Sequence, residues 1–291
     1  EIYLEDADCP ARIARIAEEM RAYRARGIFR TLPPGFILVQ RKTPFSPVRT
    51  GIVLAVDLEA YSFERQSAAL IRATEATILE RIPPRLKIRE AADLEFPHIL
   101  LLYEDMQDAV VAAARAHRGE TLYDFELNMG GGHIRGDFIP DVQPVLDAFE
   151  GLVRDGLLFM VGDGNHSLAT AKAAWERRKA DLSEEERAAH PARFALCEAV
   201  NIYDRGIRFE AIHRLVKGVD PDDFVRGLRP LGTAEGGLCV HGRRIPLGVA
   251  EEAPAAVAAV DAYINDYMLQ KGGSVDFVHG EEAVRAYTEV H

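Results

Sequence analysis

The feature that most constrains this fold is an apolar run that leads directly into a helical pattern. Residues Leu157–Gly162 are typical of a buried strand. Leu168, Ala171 and Trp175 then follow at the spacing of one helix face. Residues 163–167, which connect the two patterns, read Asp-Gly-Asn-His-Ser. A strand that passes into a helix across so short a turn predicts a fold in which both kinds of element share one core.

The rest of the chain also mixes the two patterns, but without the regular alternation of a doubly wound sheet. We therefore predict an α+β or mixed α/β fold, with mixed sheets and flanking helices. Pro83 and Pro84 predict the end of a helix over Glu64–Arg81 and an extended segment after it. The other predicted helices are Pro10–Arg26, Asp105–His117, Val142–Arg154, Leu168–Ala180, Pro221–Leu228, Pro254–Leu269 and Gly280–Tyr287. The other predicted strands are Phe36–Val39, Gly51–Leu58, Pro97–Tyr103, Leu122–Leu127, His133–Ile139 and the pair Phe194–Tyr203 and Gly206–Glu210.

Composition excludes two classes of protein. The net charge of −11 argues against a non-specific nucleic-acid surface, because such a surface needs a basic face. Apolar runs such as Gly51–Val56 are far shorter than the roughly 20 residues needed to cross a bilayer. Three widely separated cysteines, Cys9, Cys197 and Cys239, indicate neither a disulfide framework nor a zinc site, so we expect a cytoplasmic protein.

The turn at residues 163–167 is the best candidate site, because a helix N-terminus presents unpaired backbone N–H groups and a partial positive charge to an anion. Gly164 permits a tight turn and a close backbone approach. Asp163, at the end of the strand, could hold a metal ion or accept a proton, and His166 could contact phosphate or act as an acid or base. The alternative is that Asp163, Asn165 and Ser167 are ordinary capping residues and that His166 is a surface histidine.

The segment Gly162–Lys172 resembles the Asp-Gly-His-His-Arg signature of the uncharacterised bacterial and archaeal DUF1015 family. It is most similar to a branch of that family that reads Asn-His-Ser-Leu-Ala-Thr-Ala. Ile71–Thr77, Met129–Ile134 and Ile212–Arg214 resemble the same branch, and the resemblance extends from about Glu1 to Gly280. We interpret residues 1–291 as one family unit, with a subdivision near residue 150 as the alternative. Family members usually extend further at both ends, and this chain opens without Met, so we expect it to be an internal part of a longer polypeptide.

More distantly, the same turn resembles the phosphate-binding turn of the ParB/sulfiredoxin superfamily. That superfamily includes free-serine kinases, CTP-hydrolysing DNA clamps and sulfiredoxins. Ser167 stands where the superfamily turn has an arginine, so a guanidinium–phosphate contact is not expected at this position.

Three further groups of residues are candidates for the same site. Arg72 and Glu75 could provide a phosphate-binding fork and a base or metal ligand, or they could form an ordinary ion pair one helical turn apart. The Gly130–Gly132 run with His133 could cradle phosphate through backbone N–H groups, or it could be a hairpin turn. His213 and Arg214 could reach the same cleft. A shared site requires all three groups to gather around residues 163–167.

These resemblances imply a nucleotide-dependent phosphotransferase that acts on a small hydroxyl-bearing metabolite, with free serine the first substrate to test. The implied cofactors are Mg²⁺ and ATP or ADP. The alternatives are a nucleotide-binding regulatory or assembly module with little turnover, and a phosphate-ester hydrolase. The expected catalytic residues are Asp163, which is also the expected metal ligand, His166 and Glu75. The expected phosphate- or nucleotide-binding residues are Gly164, Asn165, Ser167, Arg72, Gly131, Gly132, His133, His213 and Arg214.

Overall fold

The computed structural model describes residues 9–64, 67–74, 82–96, 98–207, 212–228, 231–240, 243–280 and 284. The chain divides into two units, Glu1–Arg208 and Phe209–His291. Residue 150 lies inside the first unit, where strands from both sides of it share one sheet. Among the described residues, no helix combines the length and the apolar character needed to span a membrane.

The first unit contains a large mixed sheet with helices around it, which confirms the predicted mixed α/β class. Its helices are α1 (Cys9–Ala25), α2 (Ile82–Ala91), α3 (Ala109–Ala116), α4 (Gln143–Glu150), α5 (Asn165–Lys179) and α6 (Glu184–Ala189). Its strands are β1 (Phe36–Thr43), β2 (Ser46–Asp57), β3 (Tyr61–Ser62), β4 (Ile71–Ala73), β5 (Leu100–Tyr103), β6 (Thr121–Leu127), β7 (Gly132–Ile139), β8 (Phe159–Asp163) and β9 (Phe194–Asn201).

Strand order determines which loops can meet. Among the described residues, nine strands form one sheet in the order β3-β4-β8-β5-β9-β2-β1-β7-β6. Strands β4 and β8 are parallel, so both strands finish at the same end of the sheet. Strand β5 is antiparallel to β8 and parallel to β9, whereas β9, β2, β1, β7 and β6 pair in antiparallel fashion. Following these directions across the sheet places the β6–β7 hairpin at the end opposite the carboxyl end of β8.

The predicted apolar face of α5 lies in the main core. Leu168, Ala171 and Trp175 are fully buried and pack with the apolar residues on one face of the sheet. The indole Nε1 of Trp175 donates a hydrogen bond to Glu59 at 2.6 Å, so the largest buried side chain also has its polar atom satisfied. These contacts hold α5, and therefore the turn before it, against a rigid sheet.

Two of the predicted elements are wrong in part. The helix predicted over Glu64–Arg81 is contradicted by strand β4, in which Ile71 is buried between β3 and β8; residues 75–81 lie outside the described part. The prolines at 83 and 84 open helix α2 instead of preceding an extended segment. Proline is compatible with a first helical turn, because the N–H that it lacks would have no partner there.

The predicted pairing of Phe194–Tyr203 with Gly206–Glu210 is also not found. Strand β9 lies between β5 and β2. Gly206 and Ile207 are not in a strand, and residues 208–211 lie outside the described part.

In its described part, the second unit contains a long helix and several shorter elements. Its helices are α7 (Pro221–Gly227) and α8 (Ala253–Lys271), and its strands are β10 (Ile212–Lys217), β11 (Ala234–Val240), β12 (Arg243–Val249) and β13 (Ser274–His279). Strands β10 and β13 pair with each other, as do β11 and β12. Phe224 packs edge-on against Tyr263 and Tyr267, at centroid distances of 5.1 and 5.0 Å. This aromatic cluster joins α7 to α8. The helix predicted over Gly280–Tyr287 lies largely outside the described residues.

Candidate functional site

The turn predicted from the sequence is present, and its backbone explains the glycine. Strand β8 ends at Asp163, and α5 begins at Asn165. Gly164 between them has a φ of 84°, which is a left-handed conformation. A Cβ at this position would lie 3.1 Å from a side-chain carbon of Ile99 and 3.3 Å from the carbonyl oxygen of His98. The turn therefore sits directly on the backbone that leads into β5.

No side chain in the described part of the chain caps the N-terminus of α5. Its first turn contains no acidic residue. The first bond of the helix ladder runs from the N–H of Leu168 to the carbonyl of Gly164, at 2.9 Å. Within the described residues, the backbone N–H groups of Asn165 and Ser167 have no acceptor. The helix dipole and these donors favour an anion at this end.

Asn165 fixes the turn to the neighbouring strand. Its side chain is buried, with a residue exposure of 4%, and lies against Thr74 at the end of β4. The Asn165 amide accepts from the Thr74 N–H at 3.3 Å and donates to the Thr74 hydroxyl at 3.2 Å. That hydroxyl in turn donates to the carbonyl of Val161 at 2.6 Å. The side-chain amide of Asn165 is therefore occupied by contacts within the protein.

The polar side chains of the turn differ in exposure. Asp163 is exposed, and one of its carboxylate oxygens accepts from the N–H of Gly164 at 2.7 Å. His166 and Ser167 are half-buried in the first turn of α5. Among the described residues, no group of three or more His, Cys, Asp or Glu side chains could hold a metal ion. A Mg²⁺ ion that is held mainly by phosphates and water needs only one or two protein carboxylates, and Asp163 fits that mode.

The structure tests the prediction for Arg72 but not the prediction for Glu75. Arg72 lies in strand β4, so the helical spacing assumed for an ion pair between the two residues is wrong. Its guanidinium donates to the carbonyl of Ala69 at 2.8 Å and to the carbonyl of Asp155 at 3.2 Å. Arg72 is therefore engaged in holding loops beside β8. Glu75 lies outside the described residues, so its catalytic role stays a prediction, although Thr74 before it contacts the turn.

The glycine run and His133 do not join this site. Gly131 lies in the turn between β6 and β7, and Gly132 and His133 begin β7, as the hairpin alternative predicted. Strand β7 is five positions from β8 in the sheet order, which is roughly 24 Å at the usual strand spacing. The hairpin also lies at the opposite end of the sheet. The expectation that this group gathers around the 163–167 turn is wrong.

The surroundings of His133 also disfavour an anion. Its imidazole nitrogens lie 2.9 Å from Glu126 and 2.6 Å from Asp124. The hydrogen bonds to Glu126 and Asp124 raise the pKa of His133 above its ordinary value and outweigh the opposing effect of desolvation. The carbonyl of Gly131 accepts from the Arg41 guanidinium at 3.0 and 3.2 Å. The imidazole of His133 and the carbonyl of Gly131 therefore already have partners within the protein.

His213 and Arg214 belong to the second unit, and their contacts are local. Arg214 makes two hydrogen bonds to Asp261, at 2.8 and 2.9 Å, and its guanidinium lies over the ring of Phe277. The hydrogen bond to Asp261 raises the pKa of Arg214. The Nε2 atom of His213 is buried and has no hydrogen-bond partner among the described residues. These contacts give Arg214 a structural role, and a phosphate contact by either residue stays a prediction.

Sequence reasoning missed a charged cluster beside the turn. Glu198 in β9 accepts two hydrogen bonds from Arg49 in β2, both at 2.9 Å, and lies 2.8 Å from the Nε2 atom of His98. The Glu198 side chain is only 10% exposed, whereas that of His98 is 57% exposed. One signal was available: Glu198 is the only charged residue in the otherwise apolar run Phe194–Val200.

The fold and the turn together define a mixed α/β protein with a helix N-terminus at the carboxyl end of strand β8. The model of the family described as "Protein of unknown function (DUF1015)" matches residues 1–268. The chain therefore belongs to the DUF1015 family. No curated protein and no solved structure matches the chain. The resemblance of the turn to the ParB/sulfiredoxin superfamily stays a prediction.

Proposed function

We propose that the 163–167 turn binds the phosphates of a nucleotide, and that the protein transfers phosphate to a small hydroxyl-bearing metabolite. The observation that carries the proposal is the N-terminus of α5, which no side chain of the described residues caps and which lies beside the exposed carboxylate of Asp163. Backbone N–H groups at a helix start bind phosphate. The position also fits, because ligands of mixed α/β sheets bind outside the carboxyl ends of parallel strands, here β4 and β8.

Phosphoryl transfer asks a protein mainly to position the phosphates and to neutralise their charge. The first-turn N–H groups of α5 would hold phosphate oxygens, and His166 and Ser167 lie on the same turn. A bound Mg²⁺ would neutralise the phosphate charge and would be held by Asp163 together with the nucleotide. Free serine is the first acceptor to test, and ATP or ADP is the first donor.

Nucleotide binding is tested first, by thermal unfolding of the purified protein with ATP, ADP, CTP or GTP and Mg²⁺. A ligand that binds only the folded protein stabilises it by about 2.7 kcal/mol at 100 times its dissociation constant. We expect at least one nucleotide to raise the melting temperature, and we expect Gly164→Val to abolish that rise. A protein that no nucleotide stabilises would contradict the proposal.

Asp163→Asn then separates a transferase from a binding module. The substitution preserves the size of the side chain and removes its charge, so we expect hydroxyl-dependent turnover to fall by about 10²–10⁴-fold. Asp181→Asn is the matched control, because Asp181 is an exposed carboxylate just beyond the other end of α5. If wild-type protein binds nucleotide but phosphorylates none of a panel of hydroxy-metabolites, the transferase is excluded and the alternative of a nucleotide-binding module is favoured. Release of phosphate without any acceptor would favour the hydrolase.

A further inference from the structure

The Arg49–Glu198–His98 cluster lies on the sheet next to the candidate phosphate turn. Leu100 in β5 is the register partner of Asp163 on one side and of Glu198 on the other. Asp163 and Glu198 are therefore two strand positions apart, which is roughly 10 Å between their backbones. His98, two residues before Leu100, is also the residue whose carbonyl the Gly164 turn approaches. Glu198 lies in the middle of β9, so the cluster and the turn lie on either side of Leu100, at the same level along the strands.

Glu198 is a buried carboxylate, and the adjacent strand leaves space for its side chain. A Cβ on Gly51 in the adjacent strand would collide with the Glu198 side chain, so the absence of a side chain there makes room for the carboxylate. Burial opposes ionisation of Glu198, but the hydrogen bond from His98 and the charge of Arg49 outweigh it. The pKa of Glu198 is consequently held below its ordinary value, and the group is a carboxylate at neutral pH.

An ionised Glu198 determines the tautomer of His98. A carboxylate only accepts hydrogen bonds, so the nitrogen that faces it, Nε2, must carry the proton. In the neutral imidazole the lone pair then lies on Nδ1. Within the described residues, Nδ1 has no hydrogen-bond partner, and the ring is 57% exposed. A carboxylate that orients an imidazole whose second nitrogen is open to a ligand is the arrangement of a general base.

We propose that His98 is the general base of this site, with Glu198 as its positioning residue and Arg49 holding Glu198 in place. The proposal rests on the proposed phosphotransferase function. The proton of the acceptor hydroxyl passes to Nδ1 of His98, and the hydroxyl oxygen bonds to the terminal phosphorus of the nucleotide. The bond from that phosphorus to the bridging oxygen breaks, and its electron pair leaves with the shortened nucleotide. His98 then releases the proton to water, and Asp163 is left with the role of metal ligand.

The test is His98→Ala, which removes an exposed side chain. We expect hydroxyl-dependent turnover to fall by about 10²–10⁴-fold, with the nucleotide dissociation constant unchanged within about twofold. Added imidazole should restore part of the turnover, which a purely structural role for His98 would not allow. His117→Ala is the control, because His117 also faces a carboxylate, Asp141 at 3.6 Å, but lies near the far edge strand β6. We expect the control to behave like wild type.

The outcomes separate this inference from the proposed function. If wild-type protein phosphorylates an acceptor and His98→Ala does so equally fast, the inference is wrong and the proposed function stands. If wild-type protein binds nucleotide but transfers no phosphate, both are wrong. Nitrogen-15 NMR of the histidine side chains gives a test that does not depend on turnover. We expect the Nε2–H tautomer for His98 in wild-type protein and its loss in Glu198→Gln, and an Nδ1–H tautomer in wild type would overturn the inference.

Discussion

The turn at residues 163–167 and the hairpin at Gly130–Gly132 are both glycine turns next to a strand, yet only the first stands at the N-terminus of a helix. Gly164 and Gly130 share a left-handed backbone, with φ values of 84° and 71°. A helix follows Gly164, and the N–H groups of Asn165 and Ser167 at its start have no acceptor among the described residues. A strand whose groups pair across a sheet follows the hairpin. Acidic residues flank His133, but the first turn of α5 has none. A glycine pattern therefore indicates a turn, and the element that follows decides what the turn can bind.

The largest expected difference between the two turns is the cost of adding one methyl group. Alanine at either position meets the left-handed strain, which is about 1–2 kcal/mol. Gly130→Ala meets no atom within 4 Å, whereas Gly164→Ala crowds Ile99 and the carbonyl of His98 at 3.1–3.3 Å. We expect Gly164→Ala to lower the free energy of unfolding by about 2–3 kcal/mol and Gly130→Ala by about 1 kcal/mol. Urea unfolding measures both, and equal losses would show that the close packing under Gly164 is unimportant.

A smaller loss of unfolding free energy is expected when the hydrogen bonds that hold the first turn of α5 to Thr74 are removed. Asn165→Ala removes two hydrogen bonds to Thr74 but leaves Thr74 exposed to water, so we expect a loss of about 1 kcal/mol. Gln143→Ala is the control, because it removes an exposed amide that donates to Asp147 at 2.7 Å. That control should change the free energy of unfolding by less than about 0.5 kcal/mol. Equal effects of the two substitutions would contradict the role given to Asn165.

The smallest expected effect concerns the hairpin and is a dependence on pH. The folded pKa of His133 is raised above the ordinary value of 6.5, so its ion pairs contribute fully below that value. The contribution is lost as the pH rises through the raised pKa. We expect wild type to be more stable than His133→Gln at low pH, with a difference that shrinks as the pH rises. Urea unfolding at pH values on both sides of 6.5 measures this, and a difference that grows with pH would contradict it.

Local sequence patterns were sufficient to predict those elements whose conformation is determined by their own residues. The apolar face of α5 and the turn before it follow from Leu168, Ala171 and Trp175, because burying one helix face requires that spacing. Strand β4 was missed because three residues carry no clear period, and their conformation comes from pairing with β3 and β8. Tertiary contacts decided the conformation there.

The candidate site shows the same difference between residues that are close in sequence and residues that the sheet brings together. The 163–167 turn could be predicted because it is contiguous in the chain. The cluster of Arg49, His98 and Glu198 could not, since its members are brought together by the register of β2, β5 and β9. The proposed meeting of His133 with the turn failed for the same physical reason, because strand order places them at opposite ends of the sheet.

The buried indole of Trp175 has a practical consequence. It is the only tryptophan in the chain, and it lies on the helix that begins at the candidate turn. Its ring is fully buried and its Nε1 donates to Glu59, so its emission should shift to longer wavelength when the first unit opens to water. The second unit contributes tyrosines such as Tyr263 and Tyr267 and no tryptophan. Selective excitation of Trp175 therefore gives a fluorescence signal that reports the unfolding of the first unit, without an added label.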